Sequence, residues 1–314
     1  MAPKILCVVG PTACGKTTLG VRLAKAYNGE VVSADSMQIY KGMTIGTAAP
    51  TAAEMDGVPH HMIAVAEPEE QWSAARYAQM ALPIVDDILA RGRLPILVGG
   101  TGLWLDAVVQ GRSFAAGYAG GAVRRELQQR LAREGIGPLM DQLRRVDPAA
   151  AERLHPSDEK RVLRALEVYL ETGKTITAHN EETKRQPARY DAVWIGLRFQ
   201  DRADMKDLID RRVDRMVEQG LLDEVRGLLA SGISRKATAM QAIGYKEFLG
   251  VADGSATVEE AVAEVKLRSR QYAKRQLTWL RRNDAIHWIE WKKERDFERA
   301  FQLSTEILRS AGVC

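Results

Sequence analysis

Lys4-Ile5-Leu6-Cys7-Val8-Val9-Gly10-Pro11-Thr12-Ala13-Cys14-Gly15-Lys16-Thr17 is the stretch that decides the fold. Lys4–Gly10 is an apolar, β-branched run that closes on glycine, the pattern of a strand buried on both faces of a parallel sheet. Gly10–Thr17 then fits G-x-x-x-x-G-K-[ST], and Lys16–Tyr27 has helical spacing with Leu19, Leu23 and Tyr27 on one side. Strand, glycine loop and helix in that order are the context a phosphate-binding loop requires. Glycines let the backbone wrap around a phosphate, while amides and the helix N-terminus supply donors and positive potential. The expected phosphate-binding residues are therefore Gly10, Pro11, Thr12, Ala13, Cys14, Gly15, Lys16, Thr17 and Thr18. Lys16 would reach the outer phosphate and Thr17 would hold a Mg²⁺. The Cys14 side chain reads as a small loop filler.

Outward from the loop, Glu30–Ala34 and Pro95–Gly99 read as further strands and Gln71–Arg91 as a helix, an alternation that predicts a parallel α/β sheet. Gly111–Gly121, with four glycines and no apolar period, reads as a linker. A helical, Arg- and Glu-rich stretch follows from Val123 to about Thr172, and Gln186–Arg189 reads as the return. Ala192–Phe199 is expected to rejoin the sheet. Ala203–Ser231, Thr257–Arg282 and Asp296–Ser310 have helical patterns. The prediction is a P-loop NTPase-like parallel sheet flanked by helices, built from 1–114 and 191–314. A helical insertion domain occupies 115–190. Neither internal repeats nor low-complexity tracts are present.

The chain has 314 residues, 46% hydrophobic and 27% charged, close to the globular average, which argues against wholesale disorder. The net charge of +4 is uneven: residues 1–115 hold 9 Lys/Arg and 10 Asp/Glu, and residues 116–314 hold 36 and 31. Val265–Asn283 carries Lys266, Arg268, Arg270, Lys274, Arg275, Arg281 and Arg282 with no acid, interleaved with Tyr272 and Trp279. A solvated helix face is the ordinary outcome for such a run. Seven cations without counter-charge would nevertheless repel one another, which favours a polyanionic partner. Cys7, Cys14 and Cys314 have no metal-ligand spacing and are too few for a disulfide framework, so a reducing, cytoplasmic setting is expected. No apolar run approaches the roughly 18 residues of a membrane span, and Met1–Lys4 does not read as a secretory signal.

Three absences narrow the chemistry. No Asn-Lys-x-Asp follows the loop, as a GTPase would need. Pro95–Gly99 runs into Gly100-Thr101-Gly102 without the Walker B aspartate. No short lid supplies the arginines of a nucleotide kinase. Asp35 follows the second strand, and ligands of open parallel sheets bind beyond the carboxyl ends of strands. Asp35 should thus lie near the phosphate loop with Thr101. There it could meet Mg²⁺ or accept a proton, or it could cap a following helix. Gln38 offers a donor and an acceptor suited to a base edge.

With these blocks in place, the chain resembles the tRNA dimethylallyltransferases, also called tRNA isopentenyltransferases, over nearly its whole length. The resemblance rests on Gly10–Thr17, Asp35-Ser36-x-Gln38-x-Tyr40, Gly46–Pro50, His60-His61 and Val98–Leu103. It continues through His155–Asp158 with Arg161 and Arg164–Val168, then Ala242–Glu247 and Tyr272–Arg281. It implies transfer of a dimethylallyl group from dimethylallyl diphosphate to the exocyclic amine (N6) of the adenine 3′ of the tRNA anticodon. Under it Asp35 is the general base, and Lys16, Thr17 and Arg212 hold the diphosphate with Mg²⁺. Thr101 contacts the target adenosine, and Ser36, Met37 and Gln38 contact neighbouring bases. The target would be flipped out of its stack. Arg124, Lys160, Arg161 and Arg164 match tRNA-contacting positions in the insertion. Lys274, Arg275 and Arg281 match a basic helix suited to backbone phosphates. The partners implied are a tRNA anticodon stem-loop and dimethylallyl diphosphate, with no membrane, and the enzyme would be a monomer.

Departures from the family pattern are Trp104 for a usual Tyr, Ser269 for a frequent Thr, and the loss of an acidic-Pro pair before Arg124. The absence of a zinc-binding tail matches the short bacterial form. The readings set against this one are a P-loop small-molecule kinase and a non-catalytic RNA-binding protein anchored by the loop.

Overall fold

The computed structural model describes residues 2–111 and 121–313. Strand β1 (Lys4–Val9) leads through the phosphate loop into α1 (Lys16–Ala26), followed by β2 (Gly29–Ala34). Next come α2 (Ala52–Met55), β3 (His60–His61), α3 (Ala74–Ala90), β4 (Leu94–Gly99) and α4 (Gly102–Val109). The middle of the chain is helical: α5 (Ala122–Glu134), α6 (Ile136–Val146), α7 (Pro148–Arg153), α8 (Glu159–Thr172) and α9 (Ile176–Arg185). The sheet resumes with β5 (Asp191–Phe199), then α10 (Arg202–Glu218), α11 (Leu221–Ala230), α12 (Tyr245–Ala252), α13 (Val258–Leu280), β6 (Ile286–Trp291) and α14 (Phe297–Ser310).

All six strands are parallel, in the order β3-β2-β4-β1-β5-β6. β1, β2 and β4 are buried almost throughout, as near-continuous apolar runs in a two-sided sheet should be. The register pairs Val9 with Gly99 and Gly99 with Ala34. The phosphate loop, Asp35 and Thr101 therefore leave the sheet at one level. One core cluster packs Leu6, Val8, Ile96, Ile195 and Leu197 against Leu19 and Leu23 of α1 and Leu308 of α14.

The chain divides into two compact units, Met1–Gly111 with Arg189–Cys314, and Arg112–Ala188. The second unit has its own core, including Leu127, Leu139, Leu143, Val162 and Leu166. Most of the expected linker Gly111–Gly121, the boundary at 114/115, and Cys314 lie outside the described residues.

Three expectations about elements change. Ala203–Ser231 is two helices, because Gly220 turns left-handed (φ 96°) between them. Val123–Thr172 is four helices broken at Gly135, Asp147 and the 154–158 turn. Strand β6 was not anticipated: it is an edge strand that buries Ile286, Ile289 and Trp291 and exposes His287 and Glu290, so its polar residues mask the apolar ones.

Candidate active site

Gly15 is the N-cap of α1 at φ 88°, a left-handed conformation that favours glycine. It starts the helix so that its first-turn amides face the loop's hollow. Three of the loop's carbonyls accept side-chain hydrogen bonds. Lys16 Nζ donates to Pro11 O at 2.7 Å, Trp291 Nε1 to Cys14 O at 2.8 Å, and Arg295 Nη1 to Ala13 O at 3.4 Å. Gln276 Oε1 accepts from the Thr12 amide at 2.8 Å. The Cys14 side chain is fully buried, as a loop filler should be, and burial pushes its thiol up.

A cleft of about 710 Å³ opens over the loop. Of the expected diphosphate residues, Thr12, Ala13, Gly15, Lys16, Thr17, Thr18 and Arg212 line it, while Gly10, Pro11 and Cys14 do not. The cause for Cys14 is its inward side chain and its Trp291-bound carbonyl. A neighbouring cavity of about 310 Å³ shares Thr12, Asp35, Arg212, Met216 and Tyr272 with the cleft, and adds Met37, Ile209, Val213, Ile243 and Val265. The loop groups expected to bind phosphate and an apolar recess thus meet at Asp35.

Asp35 caps no helix. Its Oδ1 accepts the Met37 amide at 3.0 Å, an Asx-type turn that fixes the carboxylate at the end of β2. Thr101 Oγ1 accepts the next amide, from Ser36, at 3.2 Å, tying the ends of β2 and β4 together. Tyr272 of α13 lies beside Thr101 and Gln276. Burial first, and the Asp35 charge second, push its hydroxyl up to about 12, so it is a neutral donor at physiological pH.

The packing explains the run Gly99–Gly102. A Cβ on Gly100 would lie 2.1 Å from Gln276 Nε2, and one on Gly102 2.0 Å from Trp279 Cδ1. Only glycine lets α13 rest on this turn. Trp104 is buried and stacks on Tyr77 at 4.1 Å, so it is a packing residue here.

Arg212 of α10 is half-buried and donates to Thr47 O at 3.3 Å. Burial pulls its guanidinium down, and the Asp35 charge is the leading influence raising it. Gln38 lines the cleft, but its amide works internally: Oε1 accepts from Ser33 Oγ at 3.0 Å and Nε2 donates to Ala48 O at 3.2 Å. Glu224 anchors the adjoining loop, accepting the amides of Thr44, Ile45 and Gly46 and the Tyr245 hydroxyl.

The basic run corrects one expectation. Lys266 pairs with Asp214 at 2.6 Å, Arg268 with Glu264 at 2.6 Å and Arg270 with Asp210 at 2.9 Å. Counter-charges therefore exist, supplied by α10 and by an acid outside the run. Lys274, Arg275, Arg281 and Arg282 are exposed, with no carboxylate at salt-bridge distance among the described residues. Arg275 and Arg282 instead lie over the rings of Tyr272 and Trp279.

In the second unit, Arg124 and Arg164 both pair with Glu167, at 3.6 and 2.9 Å. Glu167 is buried, so this pairing gives both arginines a structural task. Arg161 is 73% exposed beside Asp158, and Lys160 is exposed.

Sequence reading missed Gln276 and Arg295 as loop contacts. Gln276 lies four residues after Tyr272 and so on the same helix face, a signal that could have found it. Arg295 sits among charged residues with no local signal.

A six-stranded parallel sheet with a glycine loop between β1 and α1 and an acid beyond β2 define a P-loop-like α/β protein. Residues 38–283 match the family model described as IPP transferase. A tRNA dimethylallyltransferase of Halalkalibacterium halodurans is 47% identical over 290 residues, 92% of each chain. Among solved structures, a tRNA isopentenylpyrophosphate transferase of Bacillus halodurans aligns with a TM-score of 0.72 at 43% identity, covering 99% of this chain and 96% of that one. A eukaryotic dimethylallyltransferase, solved acting on tRNA, aligns with a TM-score of 0.83 at 28% identity, covering 98% and 80%. The chain belongs to the IPP transferase family. That membership makes it an enzyme and sets aside the kinase and non-catalytic readings. None of the described helices is long and apolar enough to cross a membrane.

Proposed function

We propose that this chain transfers a dimethylallyl group from dimethylallyl diphosphate to N6 of the adenine 3′-adjacent to the anticodon of tRNA. The carrying observation is that Asp35, held by its Asx turn, borders both the phosphate-loop cleft and the apolar recess. The adenine nitrogen attacks the allylic carbon, and the carbon–oxygen bond to the diphosphate breaks. The bonding pair leaves on the diphosphate, and the N–H proton passes to Asp35.

Charge grows on the departing diphosphate, so donors already fixed around it lower the barrier. Lys16, the α1 amides and Arg212 are such donors. Thr101 and the neutral Tyr272 hydroxyl orient the adenine beside Asp35. Thr17 would hold a Mg²⁺, and Asp35 lines the same cleft. A single hydroxyl and few acids suit an ion that takes most ligands from phosphate and water, and the described residues hold no cluster of three or more potential metal-binding His, Cys, Asp or Glu side chains. Such an ion would neutralise diphosphate charge.

Ser36, Met37 and Gln38 border the base-binding side, with Gln38 holding the loop as well. Lys274, Arg275 and Arg281 meet tRNA phosphates, and Lys160 and Arg161 do so from the helical unit. Arg124 and Arg164 support that surface through Glu167. The enzyme would act as a monomer. Buried free Cys7 and Cys14 suit the reducing cytoplasm.

The test is incubation with radiolabelled dimethylallyl diphosphate and unmodified tRNA. Label in tRNA is expected. ATP consumption without label, or tight tRNA binding with neither, would overturn the reading.

A further inference from the structure

We propose that Arg295, on the turn between β6 and α14, is a further diphosphate-binding residue, so that the C-terminal segment completes the donor site. This rests on the prenyl-transfer reading and adds a group to it. Arg295 lines the phosphate-loop cleft, is half-buried, and makes one long hydrogen bond, 3.4 Å to Ala13 O. No carboxylate lies at salt-bridge distance from it among the described residues. Its guanidinium sits 5.5 Å from the Phe297 ring centroid, which steadies its direction without balancing its charge.

The segment that carries Arg295 is built onto the loop. Trp291 donates to Cys14 O at 2.8 Å, and a Cβ on Gly15 would lie 2.7 Å from Phe297 Cζ. Arg295 is thus held between two fixed points, both on the loop that would grip the phosphates. Burial pulls its guanidinium down; Cys14 opposes that, and the cations of Arg215 and Arg211 add to it. A partly desolvated cation near Arg211 and Arg215, with one hydrogen bond among the described residues, is satisfied by an anion presenting several oxygens. A diphosphate is that anion.

The experiment compares wild type, Arg295→Gln, Arg295→Lys, Arg295→Ala and, as control, Arg309→Ala on the last turn of α14. Transfer kinetics with labelled donor and tRNA, competition by inorganic diphosphate, and Tm are measured for each. Arg295→Gln keeps a donor for Ala13 O and loses the charge. It should raise KM for the donor and weaken inorganic diphosphate by about tenfold or more, with Tm and KM for tRNA unchanged. Arg295→Lys should recover part of the loss, and Arg309→Ala should match wild type. If Arg295→Gln matches wild type, or if only Arg295→Ala loses activity together with Tm, the residue is a loop brace and the proposal is wrong. Wild-type enzyme that transfers no label would instead sink the prenyl-transfer reading.

Discussion

Strand β2 carries a carboxylate at each end, and the structure treats the two oppositely. At the amino end, Glu30 is 3% exposed and meets both Arg91 and Arg93, the latter at 2.8 Å, with His61 at 2.7 Å. The Arg91 hydrogen bonds, chiefly, hold its carboxyl at about 2 against the cost of burial. At the carboxyl end, Asp35 accepts one backbone amide and otherwise faces open cavities. The cations near it show the same openness. Lys16, Arg212 and Arg295 each donate to a backbone carbonyl, and among the described residues none pairs with a carboxylate at salt-bridge distance. A charge balanced inside the fold stabilises it. A charge left for a ligand identifies the working end of the sheet. Helix α13 and the turn after it repeat the contrast, with Lys266, Arg268 and Arg270 paired to carboxylates and Lys274, Arg275, Arg281 and Arg282 facing none among the described residues.

The comparison can be broken at either end. The largest effect should come from Asp35→Ala, which removes the proposed proton acceptor. Turnover should fall about 10²–10⁴-fold with tRNA affinity and Tm near wild type. Near-normal single-turnover rates would remove Asp35 as the base.

Glu30→Gln should do the reverse, lowering stability while the folded enzyme keeps its kcat. The folded carboxyl titrates near 2 against an ordinary 4.5, so its contribution is fully present above 4.5 and fades as pH falls toward 2. At neutral pH the loss should be about 3 kcal/mol. Denaturant titrations at pH 7 and pH 3 check it: the gap between wild type and variant should shrink at the lower pH, and a constant gap would contradict the charge argument.

Lys16→Ala should cost about 10–100-fold in kcat/KM for the donor, the range for a charge-assisted hydrogen bond to phosphate. Unchanged kinetic constants would contradict the phosphate-loop assignment. The smallest effect separates the two halves of α13. Neutralising Lys274 and Arg275 should weaken tRNA binding and reduce the slope of log K against log salt by about one for each phosphate no longer neutralised. Neutralising Lys266 and Arg268 should leave that slope alone. Equal slopes in both pairs would mean that pairing within the protein does not decide which cations meet RNA.

Much of the fold was legible because its signals are local. β1, β2, β4 and β5 are apolar runs bounded by turns, and α1 follows a glycine motif that sterics make specific. β6 was hidden by alternation with polar residues at a sheet edge, and the four-helix partition of Val123–Thr172 by its charge density. The site was legible where a motif carries its own geometry, as in Gly10–Thr17. It was half-legible at Asp35, where position allowed either a cap or a base, and the Met37 amide shows a turn instead.

The amino-acid sequence by itself determined the phosphate loop, the parallel α/β class and the presence of an acid beyond the second strand. Each depends on neighbours a few residues away, where backbone sterics and hydrophobic period act directly. Only the tertiary structure decided which charges are balanced. Glu30 meets an arginine 61 residues away, Thr12 meets Gln276 264 residues away, and Arg295 meets Ala13 282 residues away. Coulomb and hydrogen-bond energies depend on distance in space, and the strand register that sets those distances is written into the packing of the whole sheet.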